Sequence, residues 1–209
     1  MSLVTSTYDI IQRVKDGADG GQGGGDAAFA DLFDKYRSRL AVLIHFRLGP
    51  DLSRFMDVDD VLQETLLRAY RDIDKFDYRG SGSFMNWAAR IADHVIVDLA
   101  RSQGRQKRQA EVVRFRSEGN PAGPDPVDYQ TPSRIFRENE DLAHLIQTLN
   151  LLSDDYRTVI LLAKVEGLTT REIAERIGKP PEAVALLLHR AIKRLRSIME
   201  LAPDKGDRR

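Results

Sequence analysis

An all-α fold is what this sequence predicts: two small helical domains joined by a Pro/Gly-rich linker, the C-terminal one a helix-turn-helix. Three observations carry the prediction. Apolar residues recur at intervals of three and four along most of the 209 residues, and no segment sustains the alternation of a half-buried strand. Between Glu118 and Pro132 four prolines lie among Gly, Asp and Asn, a composition that cannot propagate a helix. Near the C-terminus, TTREIAERIG followed by KPPEAVALLLHRAIKRL has the punctuation of two short helices around a glycine turn. The boundaries expected are a short helix and Gly-rich connector over 1–26, a first domain over 27–117, a linker over 118–133, a second domain over 134–201, and a tail over 202–209.

Composition narrows the class before any motif is read. Hydrophobic residues make up 42% and charged residues 31%, enough to bury a core. The absence of cysteine removes disulfides, thiolate zinc sites and cysteine nucleophiles, and permits a reducing compartment. No apolar run approaches the roughly 18 residues that cross a bilayer, and the opening MSLVTSTYDI lacks the pattern of a signal peptide. No membrane insertion and a cytoplasmic location are expected.

In chain order, Leu3, Tyr8, Ile11 and Val14 mark a short apolar-periodic segment, and GADGGQGGGD after it reads as a flexible connector. It has neither the Gly-Lys-Ser/Thr ending nor the preceding strand of a phosphate loop. Phe29, Leu32, Phe33, Tyr36, Leu40, Leu43 and Ile44 define an amphipathic helix over Ala28–Leu48. Asp57 caps a second helix with Val58, Val61, Leu62, Leu66, Ala69 and Tyr70 inward. Ser83 caps a third, with Phe84, Trp87, Ile91, Val95 and Leu99 on one face. Beyond the linker, helices are expected over Arg134–Leu151, over Asp154–Glu166 with Ser153 as cap, over Thr170–Ile177 and over Pro181–Met199.

The formal net charge is zero, with 32 basic and 32 acidic residues, but the charges are segregated. Eight acids face four bases between Asp51 and Asp77, while six bases face one acid between Arg101 and Arg116. Such segregation suits one basic protein surface and one phosphate backbone as partners, with two solvated faces as the bland alternative.

The C-terminal segment is the most informative. Thr169 and Glu172 have the spacing of a capping box. Ala174 sits where two helices approach closely, Gly178 makes the turn, and Val184 and Leu187 anchor the second helix. An ordinary helical hairpin is the competing reading. If the last helix enters a major groove, its leading face presents Glu182, Ala185, Leu186 and His189. Only Glu182 and His189 there carry hydrogen-bonding heads, so weak base discrimination is expected. Arg190, Lys193, Arg194 and Arg196 suit phosphates, or are simply solvated helix charges.

With these pieces in order, the chain from Gly25 to Met199 resembles the extracytoplasmic-function (ECF) sigma factors, small two-domain initiation subunits of bacterial RNA polymerase. GDAAFADLFDKY resembles their opening helix. DVDDVLQETLLRAY resembles their polymerase-binding helix through Asp60 and Gln63, and FMNWAARIADHVIVDLAR their promoter-melting helix through Phe84, Trp87, Arg90, Ile91, Ala92, Asp98 and Arg101. LSDDYRTVILLAKVEGLTTREIAERIG with AVALLLHRAIKRL resembles their C-terminal DNA-binding domain.

The resemblance implies binding to core RNA polymerase through Asp59, Asp60, Gln63 and Glu64, and to promoter DNA through both domains. It implies that the Phe84–Arg101 helix and the preceding loop hold the minus-ten element as single strand. Phe76 and Tyr78 are then candidate partners of a captured base, since aromatic stacking contributes about 1 to 3 kcal/mol per base. Phe84 and Trp87 fit the core as well as a base contact, and the core is the stronger reading. Arg90, His94, Arg101, Arg105, Lys107 and Arg108 complete the minus-ten set. Thr170, Arg171, Glu182, Ala185, Leu186, His189, Arg190, Lys193 and Arg194 form the upstream set. An anti-sigma factor wedged between the domains is a further implied partner, and no cofactor is.

Two departures from the family pattern stand out. Asp93 and His94 replace the usual Arg-Asn pair, and an acid there repels phosphate. Ala185, Leu186 and Leu187 follow Val184 where Lys-Ser-Arg is common, so two cations are missing. Two other classes compete. A helix-turn-helix regulator that does not join polymerase leaves the Asp60/Gln63 helix and the aromatic-basic segment without a role. An enzyme using Asp57, Asp59 and Asp60 competes with ordinary carboxylate capping, and the four histidines lack ligand spacing. A non-enzymatic function is expected.

Overall fold

The computed structural model describes residues 6–18, 24–80, 82–116 and 133–201, with the side chains at 18, 103–116 and 201 outside the description. All secondary structure among the described residues is helical. Helices α1 (Thr7–Ala18), α2 (Gly24–Leu52), α3 (Val58–Asp72) and α4 (Ser83–Arg116) form one bundle. Helices α5 (Arg134–Arg137), α6 (Glu140–Asn150), α7 (Asp154–Ile160), α8 (Thr170–Ile177) and α9 (Pro181–Leu201) form a second. The expected linker, up to residue 132, and the expected tail over 202–209 lie outside the described residues.

Helix α1 buries Ile10, Ile11 and Val14 against α2 but leaves Tyr8 exposed. The Gly-rich stretch does more than connect. α2 begins inside it, and a Cβ on Gly17 would lie 2.3 Å from the Gly25 nitrogen. The two helices therefore cross backbone to backbone, which only glycine allows. α2 then supplies the centre of the bundle with Leu32, Leu40, Leu43 and Ile44, each large side chain stabilising by about 1.5 to 3 kcal/mol when fully buried. It breaks at Gly49 (φ 58°, ψ −178°), a conformation open to glycine alone, and Pro50 starts the last turn.

Asp57 caps α3 as predicted, accepting from the Asp59 N–H at 2.9 Å. The same oxygen accepts the Ser133 hydroxyl at 2.6 Å, tying the start of the second bundle to this helix. Ser83 differs from prediction: it is the first residue of α4, not its cap. Its hydroxyl donates to the Gly80 carbonyl at 2.7 Å and so fastens the preceding loop. α4 continues unbroken from its core face through the basic segment to Arg116.

In the second bundle the predicted Arg134–Leu151 helix is two. α5 stops after one turn, and Asn139 caps α6 by accepting the Leu142 N–H at 2.9 Å. A polar side chain able to satisfy an orphan N–H starts a new helix where periodicity alone continues the old one. Ser153 occupies the cap of α7 without a hydroxyl hydrogen bond. α7 widens into π-helical turns over Leu161–Glu166 and ends on left-handed Gly167.

The two bundles share one apolar core, and α2 forms the seam. Arg39 donates to the Val165 carbonyl at 2.6 Å and the Lys164 carbonyl at 3.3 Å, capping the π-helical end across the seam. Arg157 stands 5.5 Å from the Phe46 ring centroid, and His45 packs edge-on against Phe136 at 5.3 Å. Gly82, before α4, approaches Gly167 so closely that a Cβ would lie 3.1 Å from its carbonyl oxygen.

Candidate functional site

Three surfaces gather the residues singled out from the sequence. On α3, Asp60 and Gln63 are exposed while Asp59 and Glu64 are half-buried, all near the N-terminal half of the helix. Burial and then the neighbouring Asp57 and Asp59 charges raise the Asp60 carboxyl above its usual range. Glu64 is held by Arg68 at 2.8 Å, and Arg68 also binds Asp98 of α4 at 2.8 Å. That pairing fixes α3 against α4 and lowers the Asp98 carboxyl, chiefly through the Arg68 hydrogen bond. Leu67, 44% exposed, completes the face and was missed by the sequence reading. Its signal was the helical step of four from Gln63 and seven from Asp60.

The second surface is the loop from Phe76 to Gly80 with the exposed face of α4. Here the expectation for Phe76 is corrected. Its ring is 4% exposed and packs on Trp87 at 4.9 Å and edge-on against Phe84 at 5.7 Å. Trp87 is half-buried in the same cluster, and Tyr36 closes it at 4.8 Å from Phe84. The Phe76 ring is enclosed by this cluster and lies beneath the loop, while Trp87, half-buried beside it, packs as the stronger reading of the sequence expects. Tyr78 remains at the surface edge, half-buried, its ring 5.4 Å from Tyr8. Arg90, His94 and Arg101 are exposed and fall on one stripe of α4, with the exposed Val97 between them. Arg105, Lys107 and Arg108 continue that helix, with side chains outside the described residues.

Asp93 also departs from expectation. It is not a free acid facing phosphate, because Arg47 binds it, and the same guanidinium group reaches the Ala89 carbonyl and Glu166. The negative charge is answered within the protein.

The third surface is the helix-turn-helix. Thr169 and Glu172 form both bonds of the capping box, and the Thr169 main-chain and hydroxyl donors hold the Glu172 carboxyl below its usual range. The N–H groups of Gly178 and Lys179 both return to the Ala174 carbonyl, with Gly178 left-handed at φ 66°. Val184 and Ala191 are fully buried and Leu187 packs beside them. Thr170 is half-buried, whereas Arg171, Glu182, Ala185, Leu186, His189, Arg190, Lys193 and Arg194 are all exposed. Leu186, at 50% exposure, stands out of the packed face. Among the described residues no helix is long and apolar enough to cross a membrane.

Comparison with known proteins places these surfaces in a wider group. Residues 32–106 match the family model for sigma-70 region 2, and residues 142–195 that for sigma-70 region 4. The ECF RNA polymerase sigma-E factor of Haemophilus influenzae is 30% identical over 185 residues, spanning 87% of this chain and 89% of that protein. Its namesake in Escherichia coli K12 is 30% identical over 194 residues, spanning 91% and 93%. Two solved structures are also similar. CnrH in complex with the cytosolic domain of CnrY is 24% identical, with 92% of this chain and 97% of that one covered and a TM-score of 0.45. The sigma factor RpoE in complex with the anti-sigma factor NepR, from Bartonella quintana, is 21% identical, with 82% and 98% covered and a TM-score of 0.38.

Proposed function

The chain belongs to the ECF family of RNA polymerase sigma factors, and from that membership we propose how its surfaces divide the work of transcription initiation. It binds core RNA polymerase, recognises promoter DNA and directs its melting, and acts as an initiation factor in the cytoplasm rather than as a catalyst. The observation that carries this reading is the coexistence, in one chain and in order, of a region 2 and a region 4 match. A helix-turn-helix regulator that ignores polymerase has no use for the first of them.

In this reading Asp60, Gln63 and Leu67, with Asp59 and Glu64 beside them, dock α3 on a basic surface of the polymerase. Phe76, Trp87 and Phe84 hold the loop from beneath. Tyr78 offers the ring available to a base lifted out of the duplex, an extrusion that costs a few kcal/mol and is offset by stacking and phosphate contacts. Arg90, His94 and Arg101 form the phosphate track along α4, extended by Arg105, Lys107 and Arg108. Region 4 holds upstream duplex through Thr170, Arg171, Arg190, Lys193 and Arg194. Glu182 and His189 offer the base-reading heads, and Ala185 and Leu186 offer apolar contact to thymine methyls. An anti-sigma factor covering these surfaces is the regulatory partner that family membership suggests.

In vitro transcription with core polymerase on genomic fragments tests the function directly. Polymerase-dependent transcripts with a shared upstream sequence are expected. A chain that neither co-elutes with core polymerase nor starts any transcript is not acting in this role.

A further inference from the structure

The loop that precedes α4 runs from Phe76 to Gly80, where the chain takes a positive φ of 115°, and Gly82, next to α4, takes one of 91°. Its shape is set by attachments. On the α4 side, the Ser83 hydroxyl donates to the Gly80 carbonyl at 2.7 Å and accepts the Arg79 N–H at 3.3 Å. On the other side the attachment comes from a distant element. The Lys15 ammonium of α1 donates to the Phe76 carbonyl at 2.6 Å and to the Asp74 carbonyl at 3.3 Å. Two turns earlier on the same helix, Tyr8 lays its ring against Tyr78 at 5.4 Å, tilted by 57°.

α1 is itself well anchored. Ile10, Ile11 and Val14 are buried, the Thr7 hydroxyl meets the Tyr36 hydroxyl at 3.0 Å, and the Gly17–Gly25 crossing fixes its distance from α2. It also lies wholly outside residues 32–106, the stretch that matches the region 2 model. A lysine whose ammonium group serves main-chain carbonyls some sixty positions away, one in the 3-10 turn Ile73–Lys75 and one in the loop that follows it, fixes the path of the chain where it leaves that turn.

We propose that α1 is a positioning element for minus-ten recognition: Lys15 sets the main chain of the loop, and Tyr8 sets the ring of Tyr78, so that together they determine which extruded base is accepted. The proposal rests on the reading that this loop receives the melted minus-ten strand. Lys15 and Tyr8 are positioning residues. The group that meets the base is Tyr78, and α1 acts through it.

The test uses the full chain with core polymerase and a panel of promoters carrying each base at every minus-ten position. Open-complex yield is read by permanganate reactivity and polymerase affinity by competition. Lys15→Met keeps the aliphatic stem and removes the donors. It is expected to leave polymerase affinity unchanged and to flatten base preference at one or two positions by about tenfold, the factor a hydrogen bond from a charged donor supplies. Lys15→Arg restores donors and is expected to recover the preference. Tyr8→Ala, at an exposed position, is expected to flatten the same positions, and it decides the matter if Lys15→Met fails to fold.

Unchanged preference in the folded variants, with Tyr78→Ala losing it, overturns the role of α1 and leaves the loop reading intact. Unchanged preference in Tyr78→Ala and in alanine variants of Asp77 and Arg79 overturns the loop reading, and this proposal with it. Equal loss at every position, together with weaker polymerase binding, marks α1 as a structural prop only and also overturns it.

Discussion

Arg47 Nη2 lies 2.9 Å from Glu166 Oε1, joining an arginine of α2 in the first bundle to a carboxylate of the second that is only 2% exposed. Glu166 is also paired with Arg176 of its own bundle at 3.0 Å, and Arg47 with Asp93. The four charges form a chain, Asp93–Arg47–Glu166–Arg176, that crosses the seam. Breaking one link of a buried pair costs more than the pair contributes, because the charge left behind is uncompensated.

Replacing Arg47 with methionine should therefore destabilise the protein by about 2 to 3 kcal/mol, below the usual loss for a buried pair because Arg176 remains on Glu166. Urea unfolding measures this, and a double-mutant cycle with Glu166→Gln should return a coupling above about 1 kcal/mol. Small-angle scattering should also show a more extended particle for Arg47→Met. An unchanged radius of gyration would mean that this link does not hold the bundles together.

His45 supplies a pH dependence at the same seam. Burial lowers its pKa, so the folded state favours the neutral ring packed between Phe46 and Phe136. The unfolded chain takes up its proton first as pH falls through about 6.5, and stability declines from there until the lower folded value is passed. Thermal melting between pH 7.5 and pH 5.5 should show this loss, and His45→Phe should reduce the slope. Parallel slopes in the two proteins would exclude His45 as the source.

The capping box at Thr169 and Glu172 is a local start signal for the helix-turn-helix. Thr169→Ala should cost about 1 kcal/mol. Because Glu172 has a lowered folded pKa, its contribution is fully present above its unfolded value and is lost as pH falls through the folded one. Comparing urea midpoints of wild type and Thr169→Ala from pH 6 down to pH 3.5 should show the gap closing only at the acid end.

On α3, Asp60→Asn removes charge without changing shape. Relief of repulsion from Asp57 and Asp59 offsets the lost helix-end interaction, so stability should move by no more than about 0.5 kcal/mol. Affinity for core polymerase should nonetheless fall, and Leu67→Ala should weaken it by about tenfold, as expected of a truncated interface anchor. Fluorescence titration with labelled polymerase checks both. Full affinity in the two variants would move the docking surface elsewhere.

On α9, the exposed Ala185 and Leu186 are the positions at which new cations point away from the core, whereas Leu187 packs inward. Ala185→Lys with Leu186→Arg should tighten upstream DNA binding and steepen its dependence on log salt by about 0.9 for each additional phosphate neutralised. A steeper slope without sequence preference would place the new cations on the DNA backbone, and an unchanged slope would mean that this face does not approach DNA.

Much of this was legible in the sequence because helices announce themselves locally. The period of α2, the Asp57 cap, the Thr169/Glu172 box and the turn at Gly178 each depend on residues within one or two turns, and each is found in the structure. Charge segregation likewise singles out α3 and the α4 extension. The expectations that the structure corrects concern partners remote in the chain. Phe76 is a candidate for a base on sequence alone, but the fold buries it against Trp87. Asp93 is a repelling acid on sequence alone, but Arg47, 46 positions away, meets it.

The sequence alone determined that the chain is helical, where several of its helices start, and which segments are charged, since hydrogen bonding and amphipathicity are settled over a few residues. Only the tertiary structure decided which aromatic is framework and which is surface, which charges are already answered, and that α1 reaches the loop before α4. Solvation and pairing depend on what the rest of the chain brings alongside, and spacing along the sequence carries no record of that.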